Sequence, residues 1–129
     1  MGEPRRIQLS RRKGWRMPEG AVKVDRSTCW GNPFAVGETI DRESDLWPYI
    51  AAAVPGGVRA FGALEFTSLT ISSAQLAVDL FSCWFLEQPG LTIRAFAELP
   101  GRDLACWCKI GAPCHGDWLL GCMNGAQDA

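Results

Sequence analysis

Residues 103–123 read DLACWCKIGAPCHGDWLLGCM, and this stretch decides the fold. Residues 103–107 predict a short strand, and residues 114–123 predict the closing helix of the chain. Between them, residues 109–113 hold a glycine and a proline, which are typical of a turn. The turn brings the start of the helix back toward the end of the strand.

Four cysteines and the only histidine of the chain lie in this stretch, and three of the cysteines are close to the histidine in sequence. In an extended strand the side chains of Cys106 and Cys108 point to the same face, because successive side chains alternate. The turn brings Cys114 and His115 toward them, which gives the pattern Cys-x-Cys-x5-Cys-His. Zinc prefers thiolate and imidazole ligands of this kind. The predicted metal ligands are therefore Cys106, Cys108, Cys114 and His115.

Two other interpretations of the same residues stay open. In a metal-free enzyme, Cys114 or Cys106 would be the nucleophile, with His115 as the base and Asp117 as the group that orients it. A helix N-terminus would stabilise a thiolate at Cys114. In the simplest alternative, the thiols are ordinary buried residues and His115 is hydrogen-bonded at the start of a helix. A zinc deaminase is disfavoured, because Gly116 and Asp117 follow His115 where those enzymes have a His-x-Glu pair.

The rest of the chain predicts an α/β fold with a short mixed sheet and flanking helices. Alternating polar and apolar residues predict strands over residues 5–9 and 21–25, and a hairpin from residues 58–61 and 64–67. Helices are predicted over residues 47–54, 74–88 and 91–99. Asp45 is the expected N-cap of the first helix, and Ser72 and Ser73 offer an N-cap to the second.

The length of 129 residues predicts a single domain over residues 1–129. Eight of the 13 basic residues lie in residues 1–26, and residues 1–16 form a basic N-terminal segment that includes the first strand. Such a segment either contacts phosphate groups or is a solvated arm. Neither a secretory signal nor a membrane span is predicted, so we expect a cytoplasmic protein with no membrane partner.

Motifs at both ends of the chain resemble a known family. They are RIQLS at 6–10, VDR at 24–26, WGNPF at 30–34, GRDLACWC at 101–108 and PCHGD at 113–117. The chain resembles the phage and bacterial family catalogued as domain of unknown function 4326. The resemblance implies a small intracellular α/β domain, often phage-borne, with the WGNPF loop and the Cys-Trp-Cys and Cys-His elements as its signature. Cys29 departs from the pattern, since a lysine or similar polar residue is expected there.

The loop and the cysteine cluster together predict a site for a nucleotide or nucleic acid. Trp30 and Trp107 would stack on bases, and Asn32 would hydrogen-bond to a base edge. Arg26 and Arg102 would contact phosphate groups. We expect this site to lie beside a zinc-containing cluster. The alternatives are a metal-free Cys/His enzyme of phage nucleotide or base metabolism, and a non-enzymatic interaction module.

Overall fold

A computed structural model describes residues 3–53 and 68–125 of the chain. These residues contain both strands and helices, interspersed along the chain, which confirms the predicted α/β class. The elements are β1 (Arg6–Gln8), β2 (Val22–Lys23), β3 (Thr39–Asp41), α1 (Trp47–Ala53), β4 (Ser68–Thr70), α2 (Ala74–Leu86), α3 (Pro89–Glu98), β5 (Leu104–Cys106) and α4 (His115–Asn124). Both elements predicted from residues 103–123, the strand and the closing helix, are present.

Strands β1, β5 and β2 form a parallel sheet with β5 in the centre. Gln8 of β1 pairs with Cys106, and Val22 of β2 pairs with Leu104. Hydrogen bonds continue past the strand ends, where Leu9 N donates to Cys106 O (2.9 Å) and Val24 N donates to Ala105 O (2.8 Å). In a parallel sheet the carboxyl ends of all strands lie at one edge, which is where ligands commonly bind. The residues that follow all three strands therefore meet at this edge.

Strands β3 and β4 form a separate antiparallel pair, with Ile40 opposite Leu69. Parallel and antiparallel pairing both occur, as the predicted mixed sheet requires, but they occur in two sheets. Neither β3 nor β4 was predicted. The hairpin predicted from residues 58–61 and 64–67 lies outside the described residues.

The N-cap of α2 agrees with the prediction, whereas the starts of α1 and α3 differ from it. Ser73 caps α2, because its Oγ accepts a hydrogen bond from Leu76 N at 3.1 Å, as predicted. Before α1, the side chain that accepts a backbone hydrogen bond is that of Ser44, from Leu46 N, rather than the expected Asp45. Helix α3 begins at Pro89, two residues before the predicted start. Proline suits the first helical turn, since it lacks only an N–H that has no partner there.

Among the residues that the structure describes, buried side chains form two clusters, and α2 contributes to both. Phe81 and Phe85 of α2 pack with the parallel sheet and α4. Leu80, one position before Phe81, packs with the cluster around Ile50 and Ile71. Helix α2 thus joins the parallel sheet to the second cluster through its apolar side chains. Within residues 3–53 and 68–125, no helix is long and apolar enough to cross a bilayer.

Candidate metal centre and adjoining pocket

The predicted metal ligands meet at the carboxyl edge of the parallel sheet. Cys106 is the last residue of β5, and its Sγ lies 3.9 Å from the Sγ of Cys108. Cys114 is the N-cap of α4 and His115 is the first residue of that helix. The ligand atoms of Cys106, Cys114 and His115 all lie within 4.8 Å of one another, and all three side chains are buried. The chain thus presents three thiols and one imidazole in one place.

A backbone carbonyl fixes the ring of His115. The Nε2 atom of His115 lies 2.6 Å from Val24 O, just beyond the end of β2. Because a carbonyl oxygen can only accept, Nε2 must carry the hydrogen, and Nδ1 keeps its lone pair. Metal-binding histidines commonly donate their second ring nitrogen to a carbonyl or carboxylate in this way. The edge of Phe81 also packs on the imidazole, with ring centroids 4.9 Å apart.

Arg6 holds the backbone of the Cys-Trp-Cys segment. Its side chain is only 3% exposed, and its Nη1 and Nη2 donate to the carbonyls of Cys106 (3.3 Å) and Cys108 (2.5 Å). A guanidinium presents its donors in a fixed fork, so it fixes both carbonyls at once. The aliphatic part of Arg6 passes Gly116, where an added Cβ would lie 3.1 Å from Arg6 Cδ. In the sequence, Arg6 belongs to the predicted first strand, the basic N-terminal segment and the RIQLS motif, but its contact with these carbonyls was not predicted.

Asp117 pairs with Arg6 rather than with the imidazole. Asp117 Oδ2 lies 3.2 Å from Arg6 Nε, an ion pair without hydrogen-bond geometry, and the aspartate side chain is half-exposed. The hydrogen bond that orients His115 comes instead from Val24 O. The structure therefore does not assemble the predicted triad of Cys114, His115 and Asp117. The physical reason for this difference is that, in the first turn of α4, Asp117 lies toward the guanidinium of Arg6 on β1.

The three neighbouring thiols shift one another's pKa values in opposite directions. The hydrogen bond from Cys108, followed by the one from Cys114, lowers the pKa of Cys106. The hydrogen bond to Cys106 is the largest cause that raises the pKa of Cys108 and of Cys114, and burial raises both further. A thiolate at Cys106 is thus held by two neighbouring S–H donors. Metal binding would replace those two protons.

A cavity of about 360 Å³ opens beside the cluster, and all four candidate ligands line it. Its apolar wall comes from the loop after Asn32, from the first turns of α2 and from the turn before α4. That wall consists of Phe34, Val36, Ala74, Ala77, Val78 and Pro113. Its polar wall includes Asp25, Arg26, Ser27 and Asn32. Few polar groups on a mainly apolar surface are typical of small-molecule sites.

Asp25 ties the pocket loop to Trp107. Its Oδ2 accepts a hydrogen bond from Trp107 Nε1 at 2.8 Å, and its Oδ1 accepts from the N–H (3.1 Å) and the hydroxyl (2.5 Å) of Ser27. The guanidinium of Arg11 lies over the Trp107 ring, 4.4 Å from its centroid. Trp107 is 40% exposed and lines the pocket. This cation–π contact brings the basic N-terminal segment to the pocket rim.

The structure gathers three of the five predicted ligand-binding residues. Arg26, Asn32 and Trp107 line the pocket. Asn32 is also structural, since its Oδ1 accepts from Phe34 N (2.8 Å) and its Nδ2 donates to Ala77 O (3.0 Å). Trp30 does not line the pocket but is 4% exposed in the core. Arg102 does not reach it either, because its Nε donates to Gly20 O at 2.6 Å.

Comparison with known proteins identifies the family. A family model described as Domain of unknown function (DUF4326) matches residues 7–125. The chain belongs to the DUF4326 family. No curated protein and no solved structure matches the chain at the significance required.

The DUF4326 match confirms the resemblance seen in the sequence and spans nearly the whole site. It contains all four candidate metal ligands and the polar wall of the pocket, whereas Arg6 lies one residue before it. A signal for Arg6 was available in the first strand. Arg6 and Gln8 share one strand face by their spacing, and both serve the segment after β5, since Gln8 Oε1 accepts from Ile110 N at 3.2 Å.

Asp25 should make the stability of this DUF4326 chain pH-dependent. Burial opposes ionisation, but the hydrogen bonds from Ser27 and Trp107 prevail and hold the pKa of Asp25 below its ordinary value of 3.8. A carboxyl with a lowered folded-state pKa stabilises the fold above the unfolded-state value, and this contribution is lost as the pH falls through the lower folded-state value. We expect the Asp25→Asn variant to lose less stability than the unmodified chain on acidification.

Urea unfolding at a series of pH values from about 6 down to about 2 measures this difference. Any metal release at low pH affects both chains, so the difference between their two curves is the readout. Two parallel curves would show that the Asp25 carboxylate is not stabilised by its hydrogen bonds.

Proposed function

We propose that this protein binds one zinc ion through Cys106, Cys108, Cys114 and His115, and that the adjoining pocket binds a nucleotide. The observation that carries the proposal is the convergence of three thiols and an oriented imidazole on the wall of one pocket. Two sulfurs bound to one tetrahedral zinc lie about 3.8 Å apart, since each Zn–S bond is about 2.3 Å. The Sγ atoms of Cys106 and Cys108 are 3.9 Å apart.

The surroundings of the four donors also suit a metal. His115 has one ring nitrogen engaged by Val24 O, which leaves the other as a ligand atom. Arg6 fixes the carbonyls on both sides of Trp107, so the loop that carries Cys108 is held before a metal arrives. A preformed site of this kind lowers the cost of ordering the ligands when zinc binds.

Arg26 and Trp107 support a nucleotide as the pocket ligand. Arg26 uses its Nε on the carbonyl of Asn32 (3.1 Å), and its terminal nitrogens have no partner among the described residues. A guanidinium in that condition is suited to a phosphate. Trp107 and the apolar wall offer a surface for a base, and Arg11 adds a second cation at the rim. A nucleic acid would reach the same groups through a single exposed nucleotide.

The metal-free enzyme has less support than the zinc protein. It requires Asp117 to orient His115, whereas Asp117 pairs with Arg6 and His115 is bound to Val24 O. It also requires Cys114 or Cys106 as an accessible nucleophile, yet both are buried, and the Sγ of Cys114 accepts a hydrogen bond from Gly116 N. Asp25, the carboxylate in the pocket wall, already accepts three hydrogen bonds and is poorly placed to serve as a general base.

Metal content tests the zinc site. Protein purified without added metal should contain about one zinc per chain by plasma mass spectrometry, and the Cys114→Ser variant should contain little or none. Serine is a good N-cap, so the variant keeps the start of α4 while it removes one thiolate. Cys122→Ser, in the same helix and outside the cluster, is the matched control and should keep its zinc. A metal-free unmodified chain would refute the proposed site.

Calorimetric titration with adenosine monophosphate and adenosine tests the pocket ligand. We expect Arg26→Gln to weaken the monophosphate about tenfold, the equivalent of one charge-assisted contact, and to leave adenosine unchanged. Arg102→Gln is the control, because Arg102 is bound to Gly20 O away from the pocket. Equal weakening of both ligands by Arg26→Gln would contradict the phosphate contact, and no binding of either would leave the protein as a non-nucleotide zinc module.

A further inference from the structure

Building on the proposed zinc site, we infer that Cys108 is an exchangeable fourth ligand, which a heteroaromatic ring nitrogen entering the pocket replaces on the metal. In this exchange the ring nitrogen of the pocket ligand would bind the metal directly. It rests on a difference in burial and support among the four donors.

Three of the donors are fixed in buried positions, and the fourth is not. Cys106, Cys114 and His115 are 4–5% exposed and belong to the end of β5 and the start of α4. Cys108 is only half-buried and lies in the loop beyond β5. The three buried residues make up a Cys2His set, the kind of ligand set that leaves a zinc position open for a substrate or water.

The backbone near Cys108 allows its side chain to leave without disturbing the loop. Arg6 Nη2 holds the carbonyl oxygen of Cys108, so exchange needs only a rotation of the side chain about its first torsion angle. Cys106, the metal ligand two residues before Cys108, is held in the sheet by its pairing with Gln8. Cys108 can therefore come and go while the other three ligands stay in place.

The pocket beside Cys108 suits a flat ring with a nitrogen donor. All four ligands line the same cavity as Phe34, Val36 and Val78, so a ring that enters it is removed from water against apolar side chains. Nitrogen of the imidazole type is a good zinc ligand, and purine bases carry such nitrogens. The chemistry of the proposed nucleotide and that of the metal thus coincide.

The exchange balances without any redox step. The Zn–S bond to Cys108 breaks with both electrons staying on sulfur, and the ring nitrogen supplies both electrons of the new Zn–N bond. The released Cys108 thiolate takes one proton from solvent. The metal keeps four ligands, and the number of bound thiolates falls from three to two.

Cobalt substitution makes this number visible, because each thiolate bound to cobalt adds to the charge-transfer absorption. Tag-free full-length protein loaded with cobalt would be titrated with imidazole, the simplest ring-nitrogen probe. We expect the absorption to fall by about one third to a plateau, as one of three thiolates leaves. The Cys108→Ala variant should bind one cobalt, start about one third lower and lose no further absorption. Cys29→Ala, which removes an exposed cysteine elsewhere, should behave as the unmodified chain.

Several outcomes would overturn the inference. Absorption of the unmodified chain that stays constant at saturating imidazole would identify Cys108 as a permanent ligand of a closed site. Loss of all cobalt on titration, or a folded Cys108→Ala chain that binds no cobalt, would also overturn the inference. If Cys108→Ala does not fold, the titration of the unmodified chain decides alone. Failure of the unmodified chain to bind cobalt or zinc would instead refute the proposed zinc site itself, and the inference with it.

Discussion

Removing the metal with a chelator is expected to lower the midpoint of thermal unfolding by about 10 °C. A ligand present at about 100 times its Kd stabilises the native state by about 2.7 kcal/mol. The affinity of structural zinc sites is commonly high enough to supply at least this stabilisation. For a chain of 129 residues, each kcal/mol corresponds to a few degrees. The loss should be large here because the cluster joins the end of β5 to the start of α4, two elements of the same core.

Differential scanning calorimetry before and after treatment with a chelator measures the shift. Addition of zinc should restore the original midpoint, whereas magnesium, which prefers oxygen ligands, should not. The Cys114→Ser chain should unfold at the lower temperature with or without the chelator. Superimposable unfolding curves for the treated and untreated unmodified chain would contradict a structural contribution from metal.

Arg6→Met is expected to cost about 2–4 kcal/mol in the free energy of unfolding. Methionine retains much of the buried aliphatic stem of Arg6 but removes the donors to the carbonyls of Cys106 and Cys108. A hydrogen bond from a charged donor contributes about 1.5–3 kcal/mol. The Cys108 carbonyl loses its partner in the variant, whereas the Cys106 carbonyl keeps the hydrogen bond from Leu9 N. Asp117 also loses its cation, but it is half-exposed and remains solvated, so it adds little.

Urea unfolding of the zinc-loaded variants measures this cost. Arg6→Lys should lie between the unmodified chain and Arg6→Met, since an ammonium cannot reproduce the two-carbonyl fork. Arg5→Met is the matched control on the neighbouring residue: the Arg5 side chain is largely exposed and its ion pair with Asp103 is loose at 3.9 Å, so a change within about 0.5 kcal/mol is expected. Equal effects at Arg5 and Arg6 would contradict the specific role of Arg6.

The elements that the sequence predicts well are those whose signals are local. Helix α2 carries a serine cap and an apolar face within one continuous segment, so its existence follows from neighbouring residues. The metal ligands are equally local, because Cys106 to His115 span a single strand, turn and helix start. For such features, chain order and spacing hold most of the spatial information.

The features that the sequence does not predict depend on distant partners. Strand β3 alternates over only three residues around Ile40, and its partner β4, equally short, follows about thirty residues later. Neither strand is long enough to be predicted from local alternation. The role of Arg6 depends on carbonyls about 100 residues away. Strand spacing places Arg6 on the same face as Gln8, but it does not show that the carbonyls of a distant segment lie against that face.

Trp30 and Trp107 show the same limit at the level of one side chain. Both lie in polar motifs that predict exposure, yet only Trp107 is exposed. The reason lies in the backbone next to Trp30, where a Cβ on Gly31 would come within 2.6 Å of Arg26 Cα. Because the two backbone segments lie so close together, the loop is compact and the side chain of Trp30 packs in the core. The glycine that permits it is visible in the sequence, but the surface it touches is not.

The order of the strands has a consequence for how the chain is made. Among the described strands, β1 and β2 each pair with β5, which lies near the end of the sequence, and do not pair with each other. A ribosome releases the first two strands before residues 104–106 emerge, so neither has its sheet partner until β5 has been made. Both the parallel sheet and the cysteine cluster must therefore assemble after β5, and a product of premature termination before residue 104 would have neither.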